Sequence, residues 1–256
     1  MRALAGCDAG DPVVVFDGVS YRYGRGRRDV VRDMSWSVLA GRVAVLGPNG
    51  AGKSTMLQLA AGLRRPRTGA ITIGARKVER RTRLGSMVGY LPQDVPVIAG
   101  MSVREQARYH LWLSGTHASA GGTSAVDEAL SKVHLDHLGD ARAESLSGGE
   151  RRRLGIACAI VHQPSVLLLD EPLAGLDPLE RESVDEVLAN ALTARTVIVT
   201  THQTESLITA FDSVAIVAAG SVIEYRPVEW YLEQPYVEPG REWVSIYRHY
   251  VERAVS

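Results

Sequence analysis

The stretch GPNGAGKST, at residues 47–55, combines three glycines with a lysine and two hydroxyl side chains. It follows the apolar run VAVL and precedes the helical pattern MLQLAAGL, the context in which a glycine-rich loop can bind phosphate. Its glycines allow backbone amides to point at one anion, Lys53 adds a positive charge, and Ser54 can ligate Mg²⁺. The pattern predicts a site for the phosphates of a nucleoside triphosphate, formed by Gly47, Pro48, Asn49, Gly50, Ala51, Gly52, Lys53, Ser54 and Thr55.

A second candidate for chemistry is VLLLDE, at residues 166–171, in which four apolar residues precede two adjacent carboxylates. Burying such charges is unfavourable unless a cation or a proton transfer makes use of them. Asp170 is therefore predicted to lie near Mg²⁺. Because side chains alternate along a strand, Glu171 points elsewhere, where it can orient or deprotonate an attacking water. The pair predicts hydrolysis rather than binding alone.

A third stretch, LSGGE at residues 146–150, leads into three arginines and an apolar helical pattern. Ser147 offers a hydroxyl donor, Gly148 and Gly149 let backbone amides approach a ligand, and the helix that follows has a positive N-terminus. Glu150, three residues after Ser147, also completes the pattern of a capping box. Anion binding and helix capping are compatible interpretations of this stretch.

The elements that must position these residues are short apolar strands, which alternate with helical periodicity in the second half of the chain. This pattern predicts a mostly parallel sheet flanked by helices. Between residues 94 and 143 the pattern changes to a helical lobe, with helices predicted at Val103–Leu113 and Val126–Leu135 and a loop between them. The predicted strands are VVVF at 13, VAVLG at 43, VGYL at 88, VLLLD at 166, TVIVT at 196 and VAIV at 214.

Composition limits the functional classes. The chain has 256 residues, 45% of them hydrophobic, and a formal net charge of zero, which favours a globular fold with a sizeable core and disfavours nucleic acid as a partner. No apolar run approaches the ~20 residues that cross a bilayer, and MRALAGCDAGD lacks the apolar segment of a secretory signal, so a cytoplasmic location is expected. Cys7 and Cys158 have neither metal-ligand nor disulfide spacing, and we expect inert thiols.

GPNGAGKST, LSGGE, VLLLDE, AGLD and TTH together make residues 13–235 resemble the ATP-binding cassette (ABC) family of ATPases. The resemblance implies an α/β fold: a P-loop NTPase core with a mostly parallel sheet, an N-terminal antiparallel β subdomain and an inserted α-helical subdomain at about residues 94–160. Residues 236–256 are expected to form a C-terminal amphipathic helical tail. The tail can pack on the chain's own core, on a partner or on a membrane surface, through Trp243, Ile246, Tyr247, Tyr250, Val251 and Ala254.

The resemblance also implies roles for individual residues. Tyr23 is expected to stack on adenine, with Tyr21 close enough to compete for that role. Gln93 is expected to join Mg²⁺ and the attacking water to the helical lobe. Asp177 is expected to cross a dimer interface, and His202 to contact the γ-phosphate.

In this family the loop that matches LSGGE binds the γ-phosphate held by a second subunit. The resemblance thus implies a head-to-tail dimer with ATP and Mg²⁺ at its interface, and Ser147, Gly148 and Gly149 facing the phosphate of the partner. It also implies membrane-spanning permease subunits, which hold the chain at the inner face of the cell membrane. Leu173 and Ala174 stand where the family often has a small hydroxyl residue, which puts the detail of signalling across that interface in doubt.

The function that the resemblance implies is ATP hydrolysis coupled to transport. The arginines after LSGGE and the sequence GLDP favour export. An alternative is a soluble ABC ATPase acting in DNA repair, translation or iron–sulfur assembly, although the chain has no coiled-coil insertion and no second cassette.

Overall fold

The structure is a computed structural model that describes residues 13–24, 28–78, 84–116, 122–190, 194–201, 211–238 and 242–252. His202 and Cys7 lie outside the described residues, as do the side chains of Trp243, Val251 and Ala254. The chain divides into two compact units, Met1–Thr82 with Ile198–Ser256, and Arg83–Val197. Within the described ranges, no helix has both the length and the apolar character needed to cross a membrane.

Along the described residues, the strands form short runs that are separated by helices. The strands are β1 (Val14–Tyr21), β2 (Val31–Val38), β3 (Gly41–Leu46), β4 (Thr68–Ile73), β5 (Arg76–Lys77), β6 (Val88–Leu91), β7 (Val166–Asp170), β8 (Thr196–Thr201), β9 (Ser213–Ala218) and β10 (Ser221–Pro227). The helices are α1 (Lys53–Ala60), α2 (Val103–Leu113), α3 (Gly122–Lys132), α4 (Gly148–Ile160), α5 (Pro178–Asn190), α6 (Val228–Leu232) and α7 (Glu242–Tyr247).

An antiparallel sheet in the first unit has the strand order β2-β1-β4-β5. The inward face of β2 is apolar and includes Trp36, whose ring stacks on Phe16 of β1 with 5.7 Å between centroids. The alternation of β2 is interrupted at Asp33, where φ is 41° and the register between β1 and β2 shifts. Such a shift is typical of a β-bulge. Because the bulge breaks the alternation of apolar and polar residues, the sequence pattern does not indicate this strand.

The other strands of the first unit have the order β10-β9-β3-β8. β3 pairs parallel with β9, from Val43 opposite Ser213 to Leu46 opposite Ile216, and β10 returns antiparallel to β9. Every residue of β9 is buried, as expected for a sheet covered on both faces. The carboxyl end of β3 leads directly into the glycine-rich loop at residues 47–52.

In the second unit, β6 and β7 pair parallel, from Val88 opposite Val166 to Leu91 opposite Leu169. A Cβ atom on Gly89 would lie 2.1 Å from the Ala159 carbonyl oxygen, so α4 packs directly against β6. This close packing fixes α4, the helix that begins in LSGGE and is called the signature helix below, relative to β6 and to its neighbour β7, which ends at Asp170.

The helical lobe differs from its prediction at both ends of α3. α2 spans the predicted Val103–Leu113, because Ser102 and Glu105 form a capping box at its start. α3 begins at Gly122, inside the predicted loop, and ends at Lys132 rather than at residue 135. It ends early because His134 has a φ of 54°, which a right-handed helix cannot continue through.

The C-terminal segment packs on the core of the first unit. Ile246 of α7 is completely buried, and its cluster includes Ala44 and Leu46 of β3 and Tyr231 of α6. Tyr250, in the π-helical turn that follows α7, packs against the same cluster. Of the three surfaces left open by the sequence, the chain's own core is the one that Ile246 contacts.

The fold class predicted from the sequence is confirmed. The chain combines an antiparallel sheet with parallel-rich strands and helices, which is the architecture predicted from the sequence. The proposed boundaries of the ATPase domain, the inserted helical subdomain and the tail stay predictions.

Candidate functional site

The phosphate loop joins β3 to α1 in the first unit. Gly50 and Gly52 have φ angles of 80° and 101°, in the region that glycine adopts at little cost. A Cβ atom on Gly47 would lie 2.2 Å from the carbonyl oxygen of Val217 in β9. Backbone conformation therefore requires glycine at positions 50 and 52, and close packing requires it at position 47.

Lys53 is the first residue of α1, and its side chain is 5% exposed. Its Nζ donates hydrogen bonds to the carbonyl oxygens of Gly47 at 2.7 Å and Pro48 at 3.3 Å. The preceding residue, Gly52, provides no side-chain cap for the helix. The positive end of α1 and the ammonium group therefore both favour an anion at this loop.

Tyr23 lies beside the phosphate loop, with its hydroxyl 2.9 Å from Oγ1 of Thr55. The guanidinium carbon of Arg64 is 4.6 Å from the centroid of the Tyr23 ring, and Tyr21 meets that ring edge-on at 5.2 Å. The Tyr21 hydroxyl accepts a hydrogen bond from Arg64 Nη1 at 3.1 Å. Of the two candidates for adenine stacking, Tyr23 is thus the one bonded to Thr55, in the first turn of α1.

The acidic strand end lies in the second unit. Every residue of β7 is buried, Asp170 is 2% exposed and Glu171 is 8% exposed. Glu171 has a φ of 49°, a conformation that costs a residue other than glycine about 1–3 kcal/mol. Its carbonyl accepts a hydrogen bond from the Ala174 amide at 3.1 Å, which closes a turn. Two buried carboxylates and a strained backbone mark this strand end as a candidate for chemistry.

Gln93 lies in the loop after β6, and its side chain is exposed. The neighbouring Pro92 carbonyl accepts a hydrogen bond from Arg152 Nη1 at 3.1 Å. The other terminal nitrogen of Arg152 donates to the Ala174 carbonyl at 3.4 Å. Arg152 of α4 thus connects the Gln93 loop to the turn that begins at Glu171.

The charge of Arg152 is buried, with 8% of the residue exposed. Burial lowers the pKa of its guanidinium, and the nearby carboxylates of Asp94, Asp170 and Glu171 act in the opposite direction. An arginine keeps its charge despite such a shift because its ordinary pKa is above 12. This end of the second unit therefore combines one buried cation with two buried carboxylates.

The LSGGE stretch forms the N-terminus of α4. Ser147 Oγ accepts from the Glu150 amide at 3.2 Å, and Glu150 Oε2 accepts from the Ser147 amide at 2.8 Å, which completes the predicted capping box. The amide of the buried Gly149 donates to Oε1 of Glu180 at 2.8 Å. A side chain from α5 is therefore bonded to the amide for which the sequence predicts a phosphate.

Asp177 is exposed and begins α5, where its Oδ1 accepts from the Glu180 amide at 2.8 Å. Capping a helix leaves the second carboxylate oxygen of Asp177 available for other contacts. The predicted role of Asp177 across a dimer interface stays a prediction, and so does the role of His202, which lies outside the described residues.

Three side chains near these motifs were not predicted as site residues from the sequence: Arg64, Arg152 and Glu180. The spacing of Arg152 along α4 does indicate that it is buried. It lies three residues after Gly149 and four before Ile156, and both of these are on the buried side of the helix. No local pattern pointed to Arg64 or Glu180. The contacts of Arg64 with Tyr23 and of Glu180 with Gly149 join residues that are far apart in the sequence.

Cys158 lies on the buried side of α4 and is 5% exposed. Burial raises the pKa of its thiol to about 12, although a hydrogen bond with Gln106 opposes the shift. The thiol is thus protonated near neutral pH, in agreement with the inert group expected from the sequence.

Residues 31–174, more than half of the chain, match the protein family described as ABC transporter. The chain belongs to the ABC transporter family. The match includes the phosphate loop, Gln93, the signature stretch and the acidic strand end, which confirms the family predicted from the sequence. Tyr23, Asp177 and His202 fall outside the matched residues.

Relatives in this family are named for both directions of transport. Nod factor export ATP-binding protein I of Rhizobium meliloti (strain 1021) is 35% identical over 84% of this chain. Methionine import ATP-binding protein MetN 2 of Burkholderia mallei (strain ATCC 23344) is also 35% identical over 84% of this chain. The chain spans 65% of the length of the first protein and 54% of the second.

A solved structure of cbiO1 from Clostridium perfringens, described as part of the ABC transporter complex cbiONQ, has the same fold. The TM-score is 0.75 at 25% sequence identity, and the similarity covers 95% of this chain and 97% of that one. The likeness therefore extends through both compact units.

Proposed function

We propose that this chain is the ATP-binding and ATP-hydrolysing subunit of an ABC transporter, which powers export through separate membrane-spanning subunits. The observation that carries the proposal is the phosphate loop, where Lys53 bonds to the Gly47 and Pro48 carbonyls and the uncapped end of α1 follows. A loop of this shape suits the β- and γ-phosphates of ATP because backbone amides and one ammonium group act on the same anion.

Hydrolysis is assigned to the acidic strand end. Glu171 is the proposed group that orients or deprotonates the attacking water, with Gln93 and His202 assisting at the γ-phosphate. The buried position and the strained backbone of Glu171 support this assignment, because such strain is retained mainly where function requires it.

Mg²⁺ is the proposed metal cofactor, with Ser54, Gln93 and Asp170 as its protein ligands. Hydroxyl, amide and carboxylate oxygens are the donors that Mg²⁺ prefers, so the chemistry of these three side chains fits the ion. When bound, the ion would neutralise charge that develops on the phosphates.

The proposed partners are a second cassette subunit and a permease. The exposed Ser147 and Asp177 are proposed to face the second subunit, so that ATP closes a head-to-tail dimer and hydrolysis opens it. The permease would hold the dimer at the inner face of the cell membrane. Sequence identity to the exporter relative and to the importer relative is equal and does not decide the direction of transport. The arginines after LSGGE and the sequence GLDP favour export.

Calorimetric titration with ATP tests the nucleotide site. Lys53→Ala should weaken ATP binding by about tenfold to a hundredfold, because a charge-assisted contact contributes about 1.5–3 kcal/mol. Lys77→Ala, an exposed cation in the same unit, should bind like the wild type. Unchanged affinity in Lys53→Ala would contradict the assignment.

Co-expression tests the transporter role. The chain should move to the membrane fraction when it is produced with a membrane protein encoded beside it, and the two should co-purify. Co-purification with ribosomes or DNA, and with no membrane protein, would favour the soluble ATPase instead.

A further inference from the structure

Arg152 is an unusual residue for its position on α4. It belongs to the three-arginine run after LSGGE, yet it is 8% exposed, whereas Arg151 and Arg153 are partly exposed. A buried cation is strongly unfavourable unless its donors are satisfied and opposite charges lie nearby. The surroundings of Arg152 must therefore account for its burial.

The two terminal nitrogens of Arg152 bond to two different loops. Nη1 donates to the Pro92 carbonyl at 3.1 Å, and Nη2 donates to the Ala174 carbonyl at 3.4 Å. Pro92 is adjacent to Gln93, and the amide of Ala174 is bonded to the Glu171 carbonyl at 3.1 Å. Each loop therefore contains a residue to which the proposed hydrolysis assigns a role.

Two hydrogen bonds hold the turn from Glu171 to Ala174. Its internal hydrogen bond ties the Ala174 amide to Glu171, and Arg152 fixes the Ala174 carbonyl from outside. Glu171 has a φ of 49°, and a strained residue of this kind keeps its conformation only when the surrounding contacts impose it. Arg152 supplies one such contact.

Only a forked cation can make this connection. The planar guanidinium presents donors in two fixed directions, whereas a lysine ammonium is a point charge on a flexible stem. Arg152 lies on the same helix as Ser147 and Gly149, one turn further on. A shift of α4 would therefore act on both loops through one side chain.

We propose that Arg152 is a positioning residue that holds the Gln93 loop and the Glu171 turn in the arrangement needed for water attack, and couples both to the signature helix. Arg152 itself touches neither ATP nor the water in this proposal. The proposal rests on the proposed ATPase function. To the residues already proposed for hydrolysis it adds Arg152, whose two guanidinium donors, and not its charge alone, are required to position both loops.

Steady-state ATPase kinetics of the full chain test the proposal, with Arg152→Lys and Arg152→Met compared with the wild type. Both variants should lower kcat by about tenfold or more and leave the KM for ATP within about twofold, because misplaced catalytic groups affect the chemical step and not nucleotide binding. The melting temperature of Arg152→Lys should stay close to that of the wild type. Arg108→Lys and Arg108→Met, at an exposed arginine of α2, serve as matched controls and should leave kcat unchanged.

Three outcomes would overturn the proposal. Full kcat in Arg152→Lys would show that a positive charge suffices. A parallel loss of kcat, ATP binding and melting temperature in Arg152→Lys would make the residue structural, and so would failure of both variants to fold. A different result would contradict the proposed ATPase function itself. In that case, Lys53→Ala would hydrolyse ATP as fast as the wild type.

Discussion

The amide of Gly149 lies 2.8 Å from a carboxylate oxygen of Glu180, which connects the signature turn to α5. The Glu180 carboxylate is also 3.5 Å from the place where a Cβ on Gly148 would lie. An anion from the chain itself therefore stands at the glycines that are proposed to meet the phosphate of a partner's ATP. The phosphate and the carboxylate would compete for the same amide and repel each other.

Glu180→Gln should consequently favour the ATP-bound dimer. The amide oxygen of glutamine can still accept a hydrogen bond, but the negative charge is lost. In a Glu171→Gln background, we expect the ATP concentration for half-maximal dimerisation to fall about threefold to tenfold, which corresponds to about 0.7–1.4 kcal/mol. Analytical ultracentrifugation measures this, with Glu182→Gln, an exposed position on the same helix, as control. A weaker dimer would show that Glu180 supports the signature turn instead.

The dimer itself can be tested by trapping it. Glu171→Gln keeps the shape of the side chain but removes the base, so ATP should accumulate between two closed subunits. Adding Ser147→Arg introduces a bulky side chain at the proposed phosphate contact, which should leave a monomer that still binds ATP. Ser131→Arg, on the exposed side of α3, should not disturb the dimer. If sedimentation with ATP still gives a dimer in the Ser147 variant, LSGGE acts only as a helix cap.

The nucleobase contact should depend on the ring at position 23. Tyr23→Ala should weaken ATP binding by about threefold to tenfold, while Tyr23→Trp should retain it, because an aromatic contact contributes about 0.5–1.5 kcal/mol. Tyr23→Phe should lie between them, since it keeps the ring and loses the contact with Thr55. Calorimetry on these variants and on Tyr21→Ala decides the assignment. A loss confined to Tyr21→Ala would transfer the role to Tyr21.

The C-terminal helix should contribute to the stability of the first unit. Ile246→Ala removes buried methyl groups beside Leu46 and Tyr231, and we expect the free energy of unfolding to fall by about 2 kcal/mol or more. Leu232→Ala, at a residue that is 45% exposed, should change it by about 0.5 kcal/mol or less. Denaturant titration measures both variants. Equal, small losses would mean that the tail unfolds separately from the core.

The sequence predicted the strands that contain a continuous apolar run and missed those in which polar residues interrupt the apolar ones. β1, β3, β7 and β9 each contain such a run, and all four are among the predicted strands. β2 reads VRDMSWSV, with polar residues at its exposed positions and a bulge at Asp33 that breaks the alternation. The antiparallel sheet was therefore expected only because the chain resembles a known family.

The candidate site divides in a similar way. The phosphate loop, the signature turn and the acidic strand end are contiguous stretches, so residue types and spacing were sufficient to identify them. Arg152 reaches a carbonyl 60 residues away, and Glu180 reaches an amide 31 residues away. Contacts of that kind depend on how helices pack, and a local pattern carries no information about them.

The buried thiol of Cys158 has a practical consequence for experiments that follow the proposed opening and closing of the dimer. At neutral pH, a protonated sulfur on the buried side of α4 reacts slowly with maleimides and disulfide reagents. Once Cys7 is replaced by serine, a cysteine introduced at the exposed position 131, outside the proposed interface, becomes the preferred target for a fluorophore or a spin label. Probes placed there would report when two copies approach and separate during each turnover, without rebuilding the interior of the protein.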